Sequence, residues 1–190
     1  MSLRTMRSMQ SGVSLVEVLV AMVIVAIGLL SLVVLHGRLH VLQVESYQRS
    51  QALIILNDMA SRIQLNRNAA DAYVTGAADP IGIGMACPVG PAATRQEADV
   101  IEWCNTLQGA AETIDGNAVG AMLGARACVE SIAAGEYLVT VAWQGMSPLS
   151  APPASVGCGA DLYDGGGDSP CVDDLCRRVV TTVVRIATLT

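Results

Sequence analysis

The segment GVSLVEVLVAMVIVAIGLL (Gly12–Leu30) decides how the rest of this sequence is interpreted. Its apolar character continues to Leu35, so that Val18–Leu35 contains 18 consecutive residues without a charge. In a helix, 18 residues extend about 27 Å, which is close to the hydrocarbon thickness of a bilayer. A core helix of a globular domain normally keeps one polar side. The segment therefore predicts a membrane-spanning helix rather than a buried core helix.

A single carboxylate, that of Glu17, stands near the start of this segment. A charge inside a bilayer costs about 2.5–3.5 kcal/mol on insertion scales, so such a residue usually has a partner or a function. Glu17 could also lie at the interface and reach water. If the chain were cut after Gly12, however, a new amine would appear on Val13 and Glu17 would be the fifth residue. In a low dielectric the two groups would attract strongly, either within one helix or between neighbouring subunits.

The residues before the apolar segment do not form an ordinary secretory signal. Met1–Ser11 is polar, contains Arg4 and Arg7, and has no acidic residue. A cleaved signal would continue with about 7–15 apolar residues and a small-residue cleavage site, whereas this apolar run is longer. Charges flanking the run give a weak orientation signal. Because every cysteine follows the run, we expect the leader inside and the bulk of the chain outside, in an oxidising compartment.

The stretch SGVSLVEVLVAMVIVAIGLL resembles the class III signal of type IV prepilins and type II secretion pseudopilins. The resemblance implies that an inner-membrane prepilin peptidase cuts after Gly12 and methylates Val13, and that Glu17 is the assembly carboxylate. Val13 departs from the pattern, since the first mature residue is usually Phe. A second stretch, YQRSQALIILNDMASRIQLNRNAA (Tyr47–Ala70), is similar to the helix end of PilV-type minor pilins.

This resemblance implies a minor pilin that helps to start type IV pilus assembly or forms the fibre tip. The partners implied are the prepilin peptidase, other minor pilins and the major pilin through their N-terminal helices, a tip adhesin and the inner membrane. The implied location is the inner membrane, single-pass with the head in the periplasm, and then the fibre at the cell surface. Two alternatives stay open: a minor pseudopilin of a type II secretion system, and a membrane-tethered periplasmic binding module that never assembles.

The helical pattern continues beyond the apolar segment. Apolar residues recur at spacings of three and four and form one stripe, and no proline occurs between Val13 and Asp79. The stripe comprises Leu39, Leu42, Ala52, Ile55, Leu56, Met59 and Ile63, opposite Arg38, Glu45, Arg49, Asp58, Arg62 and Arg67. We predict a nearly continuous helix from about Ser14 to about Arg67. The chain then divides into a leader (1–12), a transmembrane and assembly helix (13–35), an amphipathic upper helix (36–68) and a globular head (69–190).

The head has the pattern of a small antiparallel sheet. A loop rich in Gly, Ala and Pro follows the long helix, and Thr94–Ile114 has helical spacing. Gly124–Gln144 contains two strand-like runs joined near Gly135 and Glu136, the second alternating as a strand with one buried face, and Cys176–Leu189 is a further strand. Three or four strands packed on the upper helix would bury its stripe. The predicted fold class is therefore α+β, as in type IV pilins.

Six cysteines lie in the head, and an even count in an oxidising compartment predicts disulfides. They are Cys87, Cys104, Cys128, Cys158, Cys171 and Cys176. No Cys-x-x-Cys occurs, and both histidines, His36 and His40, abut the membrane segment, far from the cysteines in sequence, so we predict no zinc site at the cysteines and assign no metal ligands from the sequence. The aperiodic segment Ser147–Cys176 reads as a tethered loop, in which we predict a short Cys171–Cys176 bridge; the other pairs stay open.

The same loop carries five aspartates, Asp161, Asp164, Asp168, Asp173 and Asp174. Carboxylates are calcium ligands, but their spacing does not match the EF-hand loop, and solvated turn residues are the favoured interpretation.

Charge and composition disfavour several functions. From His36 onward there are 16 Asp and Glu against nine Arg, a net charge of −7, and Lys is absent throughout. Aromatic residues make up 3%, so neither phosphate contacts nor base stacking is supported and we predict no nucleic-acid partner. A catalytic triad or zinc–water site would need a histidine in the head, and there is none. We predict a non-enzyme without a cofactor.

Overall fold

The structure, a computed structural model, describes residues 14–110, 113–115, 117–118, 120 and 122–187. The chain separates into two compact units, Met1–Gln43 and Val44–Thr190. The first helix, α1 (Leu15–Leu65), begins in the first unit and ends in the second. Gly12 and Val13 lie outside the described residues.

In the first unit, the described residues are Ser14 and the beginning of α1, as far as Gln43. Every residue in this stretch is exposed. Among the described residues, α1 is the one helix long and apolar enough to cross a membrane, with a mean hydropathy of 3.2 over its most apolar 18 residues and none of them buried. An exposed apolar surface of this extent needs lipid or protein around it.

The second unit is a sheet with helices on one side. A 3-10 helix (Arg67–Tyr73) follows α1, and a second α-helix, α2, spans Arg95–Leu107. The strands are β1 (Ile81–Gly82), β2 (Thr113–Ile114), β3 (Asn117–Ala118), β4 (Arg126–Ala133), β5 (Glu136–Gln144) and β6 (Arg177–Arg185). Four of them form an antiparallel sheet in the order β1-β4-β5-β6, while β2 and β3 pair with each other. The predicted α+β class, with a long helix, a small antiparallel sheet and disulfides, is confirmed.

The predicted β4–β5 hairpin is confirmed, but its turn lies at Ala134 and Gly135, one residue before the predicted Gly135 and Glu136, because Glu136 already belongs to β5. Gly135 has φ +71°, a conformation that favours glycine, and a Cβ there would lie 2.8 Å from the carbonyl oxygen of Ile186. The Ile186 amide in turn donates to the Gly135 carbonyl at 2.8 Å. Because Gly135 has no side chain, the backbone at Ile186, directly after β6, can pack against the hairpin turn.

The main core lies between the second-unit part of α1 and the sheet. The α1 residues Ala52, Met59 and Ile63 are fully buried and belong to one cluster with Val139 and Val141 of β5. This part of the predicted stripe is confirmed. The other predicted members, Leu39 and Leu42, are 43% and 64% exposed and lie in the first unit. The prediction that they continue the buried stripe was wrong, because the head begins to cover α1 only further along.

The opposite face of the sheet is also covered, which corrects the prediction of one buried face. Thr140 and Ala142, expected to face solvent, are both fully buried. Cys128, Ala142, Cys158 and Tyr163 form a second cluster there. The segment between β5 and β6, predicted as a loop, folds back over this face, so the sheet is sandwiched between helices and loop.

The helix predicted over Thr94–Ile114 is shorter than expected. It begins after Thr94, whose hydroxyl accepts from the Glu97 amide while the Glu97 carboxylate accepts from the Thr94 amide, a capping box. It ends at Leu107, close to Gly109 with φ +88°, a typical glycine stop after a helix.

Candidate processing and assembly site and the surfaces of the head

The first turn of α1 places Glu17 at the beginning of the helix. The Ser14 carbonyl accepts hydrogen bonds from the amides of Glu17 (3.0 Å) and Val18 (3.3 Å). A carboxylate at a helix N-terminus is stabilised by the helix dipole by about 0.3–1 kcal/mol. That is less than the cost of about 2.5–3.5 kcal/mol for a charge within a bilayer. The helix end alone does not compensate Glu17.

No cation on the described part of the first unit lies near Glu17. The next charged residue along α1 is Arg38, 21 residues further on and about 31 Å away by helix rise. Within residues 14–43, Glu17 forms no ion pair, and its side chain is exposed. For a Glu17 placed within a bilayer, a compensating cation would come from outside these residues, either from the segment that precedes Ser14 or from another molecule.

Comparison with known protein families identifies a motif in the N-terminal segment that contains Glu17. Residues 7–33 match the prokaryotic N-terminal methylation motif, which includes Gly12, Val13 and Glu17. Neither the curated proteins nor the solved structures gave a match to the chain. The motif supports a protein of the type IV pilin or pseudopilin class, whose members are structural rather than catalytic. It covers 27 of the 190 residues and says nothing about the head.

Three disulfides fix the head. They join Cys87 to Cys104, Cys128 to Cys158, and Cys171 to Cys176, the last being the one pair singled out from the sequence. We call the Cys128–Cys158 bond the loop-to-sheet disulfide, because it ties the segment after β5 to β4. We call the Cys171–Cys176 bond the short disulfide, since it closes five residues immediately before β6.

Arg177, the first residue of β6, also anchors the segment between β5 and β6, a role that no sequence pattern predicted. It is 3% exposed and donates to the carbonyls of Val156 (2.7 Å) and Cys158 (3.1 Å). Its guanidinium also pairs with the Asp174 carboxylate at 2.9 Å. One charged side chain thus holds two separate parts of the segment.

Some of the loop aspartates shape turns. The Asp174 carboxylate accepts from the Asp161 amide (3.0 Å), and the Asp164 carboxylate accepts from the Asp174 amide (2.9 Å). Asp161, Asp173 and Asp174 all have positive φ, a conformation that Asp tolerates better than most residues. Across the described part of the chain, no three His, Cys, Asp or Glu side chains converge as metal ligands would.

Arg62 joins α1 to α2 through carboxylates. It contacts the carboxylates of Asp58 (2.8 Å), Asp99 (2.9 Å) and Glu102 (2.6 Å). The hydrogen bond from Arg62 lowers the pKa of the Glu102 carboxyl. Asp58 and Arg62 lie on the predicted polar side of α1. Helix α2 packs beside this side, and it leaves the Arg62 side chain 19% exposed and the Asp58 side chain 44% exposed.

Asp99 is the buried end of this network. It is 1% exposed, and besides Arg62 it accepts from the Tyr73 hydroxyl at 2.6 Å. Burial and the hydrogen bond to Asp99 raise the pKa of Tyr73. The indole of Trp103, which packs 5.5 Å from the Tyr73 ring, donates to Asp58 at 3.1 Å. The Arg95–Asp99 spacing of four was visible in the sequence, but nothing in it showed that Asp99 would be buried.

Proposed function

We propose that this chain is a minor pilin of a type IV pilus, of the PilV type, cut after Gly12 and N-methylated on Val13. The observation that carries the proposal is Glu17, which has no cation near it on the described part of its unit and lies inside a methylation motif. Cleavage after Gly12 supplies the missing cation, because the new Val13 amine stands one helical turn from Glu17. The same amine on one subunit can pair with Glu17 of the next, which sets the stagger between neighbouring helices.

The proposed life of the protein has two stages. It is first a single-pass inner-membrane protein with its head in the periplasm, where the prepilin peptidase processes it. It then joins other minor pilins and the major pilin through packing of α1, either starting assembly or forming the fibre tip, where an adhesin is a further partner. The exposed apolar surface of residues 18–35 supports both stages, since lipid or other helices can cover it.

The PilV type is favoured over a pseudopilin by the upper part of the chain. The run Tyr47–Ala70 resembles the PilV-type helix end, and pseudopilins of the I type, the most easily confused relatives, have smaller heads. The head here holds a four-stranded sheet, a second helix and three disulfides. A pseudopilin of a type II secretion system remains the second candidate, because the methylation motif fits it equally well.

The processing step is tested by mass spectrometry of the protein purified from its native membranes. The expected N-terminal fragment begins at N-methylated Val13. A chain that still carries Met1–Gly12, in cells with an active prepilin peptidase, would contradict the proposal and leave Glu17 as an interfacial residue of a signal anchor.

The assembly step is tested with Glu17→Ala and with a matched exchange of Glu17 and Val18 (Glu17→Val with Val18→Glu). The exchange keeps the composition but turns the carboxylate by about 100° around the helix. If the pairing between subunits is worth about 1.4 kcal/mol, both variants should lower incorporation into sheared fibres about tenfold while the leader is still cut. Normal incorporation of the exchange variant would contradict a geometrically specific pair.

The same variants separate the alternatives. In a pseudopilin, the Glu17 variants would impair type II secretion and leave the pili unchanged. In a tethered binding module that never assembles, Glu17→Ala would leave function intact, and no wild-type protein would be found in sheared fibres.

A further inference from the structure

The two histidines of the chain lie one helical turn apart on α1. His36 and His40 are four residues apart, both are exposed, and their ring centres are 6.5 Å from each other with an angle of 35° between the ring planes. Side chains four residues apart on a helix lie on the same face. Both residues belong to the first unit, immediately after Leu35, the last residue of the uncharged run.

Two imidazoles at this spacing are a metal-chelating arrangement. The same i, i+4 spacing on a helix provides two of the zinc ligands in metalloproteases. With metal–nitrogen bonds of about 2.0–2.1 Å, two rings on one tetrahedral ion have centres about 5.2 Å apart. The rings of His36 and His40 would have to approach by about 1.3 Å, which a small rotation of exposed side chains allows.

Nothing in the described residues engages these imidazoles in another role. No hydrogen bond within residues 14–43 involves either ring, and both side chains project from an exposed helix face. A histidine needed for packing would be buried, and one needed for an ion pair would lie beside a carboxylate. All six cysteines are in disulfides, so no thiolate in the chain competes for a metal ion.

We propose that His36 and His40 form a bidentate site for a late first-row divalent metal ion, of the class of Zn²⁺, Ni²⁺ or Cu²⁺. Imidazole nitrogen suits these ions, whereas Mg²⁺ and Ca²⁺ prefer oxygen ligands. Two protein ligands leave the remaining coordination positions to water or to a donor from another molecule. The site is therefore exchangeable, and it binds metal whether or not the chain is a pilin.

The test is isothermal titration calorimetry, in which ZnCl₂ or NiCl₂ is added to the full-length protein in detergent micelles. The protein is purified without a polyhistidine tag, because such a tag would bind the same ions. We expect one site per chain, and a loss of affinity at acid pH because protons compete for the ligand nitrogens. His36→Gln and His40→Gln should each weaken binding about tenfold or more, as removal of one arm of a chelate predicts.

A matched control keeps two histidines but separates them around the helix. His40→Gln combined with Val41→His places the second imidazole five residues from His36, about 140° around the helix axis. This variant should bind as weakly as the single variants. If it binds as tightly as the wild type, or if the wild type binds no better than the double variant His36→Gln with His40→Gln, the proposal is overturned.

Discussion

Replacing Asp99 by alanine should destabilise the head by about 3 kcal/mol. The carboxylate is 2% exposed and accepts from the Tyr73 hydroxyl (2.6 Å) and the Arg62 guanidinium (2.9 Å). Its removal leaves a buried hydroxyl without this acceptor, at a cost of about 1–3 kcal/mol, and breaks a buried ion pair, which typically costs about 3–5 kcal/mol. We expect about 3 kcal/mol, less than the sum of these two costs, because Arg62 keeps the carboxylates of Asp58 and Glu102 and is therefore not left unpaired.

The assay is thermal unfolding of the full chain in detergent, followed by near-ultraviolet circular dichroism with the disulfides intact. All Trp and Tyr residues lie after Gln43, so the aromatic signal reports the second unit alone. For a protein of this size, about 3 kcal/mol corresponds to a fall of about 6–12 °C in Tm. The control is Arg95→Gln, which removes a partner of Asp99 that is 70% exposed and should cost less than about 1 kcal/mol.

A double-mutant cycle decides whether the stated contact is the cause. In a Tyr73→Phe background, the hydroxyl that needs Asp99 is gone, so Asp99→Ala should cost less than it does in the wild type, by about 1 kcal/mol or more. An Asp99→Ala variant that is as stable as the wild type would refute the reasoning. So would an unchanged cost in the Tyr73→Phe background.

Two further predictions concern the disulfides and one turn. Removing the loop-to-sheet disulfide by paired Cys-to-Ser substitutions should lower the free energy of unfolding by about 3.6 kcal/mol, and removing the short disulfide should lower it by about 2 kcal/mol, because the closed loops span 30 and 5 residues. Chemical unfolding of the two variants measures these losses. A larger loss for the short disulfide would contradict loop closure as the cause. Gly135→Ala should cost about 1–3 kcal/mol, since its Cβ would meet the Ile186 carbonyl at 2.8 Å and its φ is +71°. Gly166→Ala, at an open position without positive φ, should change the unfolding free energy by less than about 0.5 kcal/mol, and equal effects at both glycines would contradict the prediction.

Much of the fold was predictable because it depends on periodicity. The apolar residues of the long helix from Ala52 to Ile63 and the strand β5 repeat with a period that matches their geometry, while β6 was predicted from its Val and Thr residues. The hairpin followed from Gly135. These features are local, so a single sequence carries them.

The burial of the second face of the sheet was not predictable, because the segment between β5 and β6 that covers this face has no periodic pattern. Thr140 and Ala142 are small or polar and alternate with large apolar residues, which is the pattern of a solvent-facing side. Their burial results from the segment that carries Cys158 and Tyr163. Only the Cys128–Cys158 pairing would have placed that segment on β4, and six cysteines allow 15 pairings.

The buried charge of Asp99 escaped prediction for a different physical reason. Its helix carries several acidic residues, and all of them look equally solvated in the sequence. Which one is buried depends on Arg62 and Tyr73, which are 37 and 26 residues away along the chain. A pattern within one helix cannot specify a partner on another. In contrast, the N-terminal methylation motif could be recognised in the sequence because it is itself a local pattern.

On the proposed function, leader cleavage changes the charge balance around Glu17 in a way that assembly requires. Before cleavage, the cationic side chain closest to Glu17 on its N-terminal side is that of Arg7, ten residues earlier. After cleavage, the amine stands on Val13, within one turn, and the two leader arginines are gone. A pair between the Val13 amine and the Glu17 carboxylate within one helix is neutral and lowers the cost of holding Glu17 in lipid. When this pair is replaced by the same pair between two subunits, the net charge does not change. Cleavage therefore makes the helix both tolerable in the bilayer and able to bind its neighbours through the same two groups.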